Sequence, residues 1–136
     1  MNDAERLEFL EGILDELQDM SDTRIALIEG NKDRRALDSL GLQCLRTIEV
    51  QREGGPLRAA EKVSESGLDA IILTDWDDRG NRIEKDLRIQ LDALCVRYDT
   101  SIKERLRDIC IKDIKDVESL DSLYRRLKNS ASIQNV

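Results

Sequence analysis

Two short stretches hold residues whose types and spacing suit chemistry: IEGNKD at 28–33 and ILTDWDDRGN at 72–81. Each sets acids at the end of an apolar run. Glu29 follows RIALI, and Asp75 and Asp77 follow IILT with Trp76 between them. If both runs are strands of one parallel sheet, their ends meet at one edge, and ligands bind in the crevice outside such ends. Several carboxylates on one rim repel each other unless a cation neutralises them. All-oxygen ligation favours Mg²⁺ or Mn²⁺, so Glu29, Asp75 and Asp77 are candidate metal ligands. The chain contains 0 histidines, which excludes Ser-His-Asp and Cys-His catalysis and the usual zinc sites.

Each acid also has a plainer role open to it. Glu29 would suit the positive end of the helix that follows, and Asp33 reads as a structural acid in that helix's first turn. Asp78 reads equally as a solvated turn residue, and Trp76 as a packing lid over the strand ends. Lys32, Arg34 and Arg35 follow Glu29, while Arg79 and Arg82 follow Asp77. A charge-mixed helix surface explains Arg34 and Arg35. Lys32 and Arg79, next to the proposed metal, are candidate phosphate contacts.

The elements that must position these residues follow from periodicity. Leu7, Leu10, Leu14 and Leu17, widened by Phe9 and Ile13, predict an amphipathic helix over 3–19. RIALIE (24–29) predicts a strand buried on both faces, and LQCLRTIEV (42–50) and DAIILT (69–74) a second and a third strand. Asn31 is the expected N-cap of the helix after the first strand, and Gly41 its stop. Pro56 opens a helix to about 66 with Leu57, Ala60 and Val63 inward. A long helix begins near Gly80 and carries Ile83, Leu87, Leu91 and Leu94 on one face. This alternation predicts parallel βαβ units with right-handed crossovers. Beyond Cys95 the pattern weakens. SIKE (101–104) reads as a capping box, IKDVE (114–118) as a short fourth strand, and SLDSLYRRLK as a closing helix with Arg125, Arg126 and Lys128 near its negative end.

Composition bounds the rest. At 136 residues the chain suits a single domain over 1–136: an N-terminal helix (3–19), a core (22–95) and a C-terminal helical segment (96–130). Aromatic content of 3% means that Leu, Ile, Val and Ala must build the core. A formal charge of −7 argues against unassisted nucleic-acid binding, though bridging cations or a local basic rim would permit it. Cys44, Cys95 and Cys110 lie far apart; they read as reduced thiols filling core space. The acid-rich opening MNDAERLEFLEG and the lack of any run approaching ~20 apolar residues point to the cytoplasm and away from the membrane.

With these residues in place, IALIEGNKDRRALDSLG followed by IILTDWDDRGNRIEKDL resembles a Toprim domain, the module shared by primases, topoisomerases and small nucleases. The family pattern is a strand ending in Glu-Gly with an Asp three residues on, then a later strand ending in Asp-x-Asp-x-x-Gly. Glu29, Gly30, Asp33, Asp75, Asp77 and Gly80 match it, within about residues 24–95. Arg79-Gly80 is similar to the primase and ribosomal-RNA-maturase branch; topoisomerases place a third acid where Arg79 stands. Length and layout most resemble the small stand-alone Toprim proteins of archaea.

The resemblance implies a three-layer, Rossmann-like α/β fold with a small parallel sheet of about four strands flanked by helices. It implies that Glu29 acts as metal ligand or general acid/base while Asp75 and Asp77 hold one or two Mg²⁺ ions. Gly30, Asp33 and Gly80 would support the site. The implied chemistry is primase- or nuclease-like transfer at phosphodiesters of RNA or DNA. A catalytically silent metal- or nucleic-acid-binding module, working with a protein partner or as a homodimer, is the alternative. Haloacid-dehalogenase phosphatases and phospho-receiver domains also put Asp pairs at strand ends. Here, however, the pair sits on the third strand behind an earlier Glu, and RIALIEG lacks the receiver's acidic pair.

Overall fold

The computed structural model describes residues 1–134. The first helix, α1 (Asp3–Met20), is capped by Asn2, whose side chain accepts the Glu5 N–H at 2.8 Å. Leu10, Ile13, Leu14 and Leu17 are buried along it, whereas Phe9 is 57% exposed, so the apolar stripe is narrower than predicted. There follow β1 (Arg24–Ile28), α2 (Asn31–Ser39), β2 (Arg46–Glu49), α3 (Pro56–Ser66), β3 (Asp69–Ile72), α4 (Asp78–Ala93), β4 (Tyr98–Asp99), α5 (Ser101–Cys110) and α6 (Leu120–Gln134). Among the described residues no helix is long and apolar enough to cross a membrane.

The four strands form one parallel sheet in the order β2-β1-β3-β4, as the alternation of elements predicts. Side chains alternate across it, because successive residues of a strand point to opposite faces. Ala26, Ile28, Ile71 and Leu73 pack with the apolar faces of α1, α2, α5 and α6. Leu27, Ala70 and Ile72 pack with α3 and α4, through Val63, Leu87 and Leu91 among others. Both faces are covered, which makes the fold three-layered and Rossmann-like. From β1 the chain turns to β2 on one side, and from β2 it crosses back to β3 on the other. The crevice between the ends of β1 and β3 is therefore the topological switch point of the sheet.

Several boundaries differ from the sequence reading, each for a local reason. β2 covers only the end of the predicted 42–50 run. The Arg34 guanidinium binds the carbonyls of Gln43 and Leu45, so that backbone is held from α2 rather than in the ladder. β3 stops at Ile72, although Leu73 N–H still bonds Leu27 O at 2.9 Å and Thr74 is fully buried. The fourth strand is Tyr98–Asp99, not 114–118, and it pairs with Ala70 and Ile71. Residues 114–118 instead cross the carboxyl edge, where Lys115 O accepts the Trp76 N–H.

At the helix ends, Gly30 rather than Asn31 is the N-cap of α2. Gly41, at φ +86°, follows its C-cap as predicted. α4 opens at Asp78 with Gly80 inside its first turn. The SIKE capping box does not form. Asp99 accepts the Ile102 N–H at 3.0 Å and the Ser101 hydroxyl at 2.7 Å, so the end of β4 secures the start of α5. α6 runs on to Gln134, which leaves Arg125, Arg126 and Lys128 in mid-helix; Arg125 pairs with Asp121 one turn back at 2.7 Å. Leu57 is exposed, and Ala59 takes the inward position beside Ala60 and Val63. Cys110 alone fills core space; Cys44 and Cys95 are exposed, each lying in the turn beyond a helix.

Candidate functional site

Three carboxylates meet at the switch point. Glu29 is the residue after β1 and is only 6% exposed. Its Oε2 accepts the backbone N–H of Asp75 at 2.7 Å, which ties the end of β1 to the segment after β3. The Asp75 carboxyl therefore lies close to that of Glu29. Two acids this close disfavour each other's charged form. The other contact of Asp75 is to the crossing segment: its Oδ1 accepts the Val117 N–H at 2.9 Å. Asp33 lies in the first turn of α2, where its Oδ2 accepts the Gly30 N–H at 3.1 Å. It is 5% exposed.

The electrostatics of this cluster are strained. Burial pushes Asp75 up to about 8, and the contact with Glu29 and the nearby charge of Asp33 act in the same direction; the Val117 N–H opposes them. Burial likewise raises Asp33 to about 6, with Glu29 and Glu118 adding to the rise and the amides of Gly30 and Glu29 opposing it. Asp75 therefore holds its proton more tightly than a free aspartate does.

The remaining predicted site residues occupy the rim. Asp77 caps α4, its Oδ1 accepting the Gly80 N–H at 2.7 Å. One oxygen suffices for that cap, and a carboxylate has two. Gly80 is required by a close approach: a Cβ there would stand 2.0 Å from the Asp75 carbonyl oxygen. Gly30 backs onto the Gln51 side chain, whose oxygen would lie 3.0 Å from a Cβ. Trp76 is a packing residue, 5% exposed, with its indole N–H donated to Ile114 O at 2.8 Å. Asp78, Lys32 and Arg79 are exposed, and among the described residues neither Lys32 nor Arg79 makes an ion pair. Lys32 and Arg35 line an open groove with Ser119 and Ser122 of the crossing segment and α6. Arg34, by contrast, is spent on Asp38 and the turn before β2.

The structure thus brings Glu29, Asp33 and Asp75 together and leaves Asp77 turned to its helix. Among the described residues, no set of three His, Cys, Asp or Glu side chains stands ready to hold an ion. The donor set nonetheless fits a hard divalent cation. It is all oxygen, and two of its members carry raised proton affinities that such a cation would relieve. Glu29 and Asp75 would hold the ion.

Two participants escaped the sequence reading. Glu118 acts on Asp33 from the crossing segment, which the reading took for a strand. Lys103 is 4% exposed and bonds Thr74, Asn81 and Glu84 at 3.0, 3.1 and 2.6 Å. Its position three residues before Leu106, on the apolar side of α5, was the available signal.

Fold and site together define an α/β protein with a buried carboxylate cluster at the switch point of a parallel sheet. The chain belongs to the UPF0292 family. It is 33% identical over 124 residues to a UPF0292 protein of Methanosarcina barkeri, covering 90% of this chain and 85% of that one. It is also 33% identical over 126 residues to a UPF0292 protein of Thermococcus sibiricus, covering 93% of this chain and 96% of its relative. No protein-family model matches the chain. Among solved structures, a protein from Aquifex aeolicus superposes with a TM-score of 0.68 at 22% identity, covering 81% of this chain and 96% of the other, a likeness of fold.

Proposed function

We propose that this chain is a Toprim-like, Mg²⁺-binding cytoplasmic protein that acts on nucleic-acid phosphodiesters, with Glu29, Asp75 and Asp77 as the metal ligands. One observation carries the reading: the Asp75 N–H bond to Glu29 Oε2 at 2.7 Å holds two acids from the ends of neighbouring strands at one edge, where burial and the neighbouring carboxylates raise Asp75 and a cation would relieve it. One ion would sit between them, and Mn²⁺ would substitute for it. A second ion about 4 Å away would let attacking and leaving oxygens both be stabilised. Glu29 would serve as ligand or general acid/base. Lys32 and Arg79, exposed on the starts of the two diverging helices, would hold phosphates of the bound strand.

The test is a Mg²⁺/Mn²⁺ activity screen of the purified chain over structured RNA, single-stranded DNA and duplex DNA, beside Asp75→Asn and Glu29→Gln. Metal-dependent turnover that falls by at least about 100-fold in either variant is the expected result. Turnover surviving Asp75→Asn would contradict the assigned site. Metal binding without turnover on any substrate would instead favour a silent docking module.

A further inference from the structure

Lys103 is one of the few charged side chains withdrawn from solvent, and it makes three bonds there. Its side chain is 5% exposed, and its ammonium donates to Thr74 Oγ1, Asn81 Oδ1 and Glu84 Oε1. Thr74 immediately precedes Asp75, and Asn81 immediately follows Gly80. The Thr74 hydroxyl in turn donates to Gly80 O at 2.9 Å. One ammonium therefore grips both ends of the 74–81 loop, which carries Asp75 and Asp77, and anchors them to α5 from a different layer of the fold. β4 beside it is only 2 residues long, so the sheet gives this edge little support of its own.

From this geometry we infer that Lys103 is a positioning residue: it fixes the spacing of Asp75 and Asp77 by clamping the loop ends, without touching the metal. The consequence for metal binding rests on the reading proposed above; the consequence for loop order does not. Three donors satisfied by three acceptors suit this role, since groups that orient metal ligands typically govern affinity without contacting the ion. Glu84 has a second cation in reach, Arg88 at 3.5 Å, so loss of the lysine does not leave it wholly unpaired.

The test compares the full chain with Lys103→Met and with Lys103→Met/Glu84→Met. The double variant removes both charges of the pair, the buried Lys103 and the part-buried Glu84, and keeps apolar volume, a replacement that folds generally tolerate. Hydrogen–deuterium exchange and Mn²⁺ affinity by electron paramagnetic resonance are the readouts. Residues 74–81 are expected to lose protection in both variants while β1 and β3 keep theirs, and Mn²⁺ affinity to fall by about 10- to 100-fold. Unchanged protection at 74–81 in the folded double variant would overturn the inference, as would loss spread through β1 and β3. Wild-type Mn²⁺ affinity in that variant would do the same. Should the wild type itself fail to bind Mn²⁺, the metal reading falls, and the exchange pattern alone decides whether Lys103 positions the loop.

Discussion

Asp75 is where local chemistry is under most tension. In an unfolded chain an aspartate titrates near about 4. In the fold, burial and the neighbouring acids push Asp75 up to about 8. The native state thus keeps a proton that the unfolded state has released. The stability this group contributes is full below the unfolded value and is lost as pH rises through the folded one. Asp33 acts with the same sign and is spent by about 6. Metal-free wild type is therefore expected to lose stability relative to Asp75→Asn between about pH 4 and about pH 8, measured by urea denaturation in a chelator. Saturating Mg²⁺ should reverse that loss in the wild type and leave the variant unmoved. A stability difference that stays flat with pH would mean that Asp75 ionises freely. The acids themselves were readable in the sequence, because an acid after an apolar run is a local pattern. Which of them touch was not, since the Asp75–Glu29 bond spans 46 residues of chain.

At the scale of elements, the junction between β3 and α4 shows how tightly the loop is drawn. Gly80 lies in the first turn of α4 and packs on the Asp75 carbonyl, with no space for a side chain. Gly80→Ala is expected to cost about 2 kcal/mol or more, since the Cβ must displace backbone rather than a flexible side chain. A shift in the urea midpoint at constant slope reads that cost. A midpoint within error of wild type would mean that α4 can slide away from the loop. Elements with strong periodicity stand where apolar spacing put them: α1, α3, α4 and the two central strands, β1 and β3. Errors fell where long-range contacts decide. β4 is 2 residues long and draws its identity from pairing with β3, a partner no local pattern reveals. Residues 114–118 have strand-like composition, yet their polar groups go to Asp75 and Trp76 at the carboxyl edge.

For the whole molecule, the strand order places the two halves of the motif side by side. Because β1 and β3 are neighbours and the chain leaves them in opposite directions, Glu29 and Asp75 face one crevice. With a net charge of −7, a phosphate backbone could be met only through bridging cations or a local basic rim. Lys103 lay outside the sequence reading for the same reason that β4 did: its partners come from β3's end and from α4, and only the packed fold assembles them.

The central claim, that these carboxylates hold a divalent metal, is tested most directly by calorimetric titration of Mn²⁺ into metal-free wild type and Asp75→Asn at two pH values. Saturable binding to the wild type that tightens from about pH 6 to about pH 8 as protons are released, and that is lost in Asp75→Asn, is the expected result. Equal binding by both proteins, or none by the wild type at either pH, would contradict it.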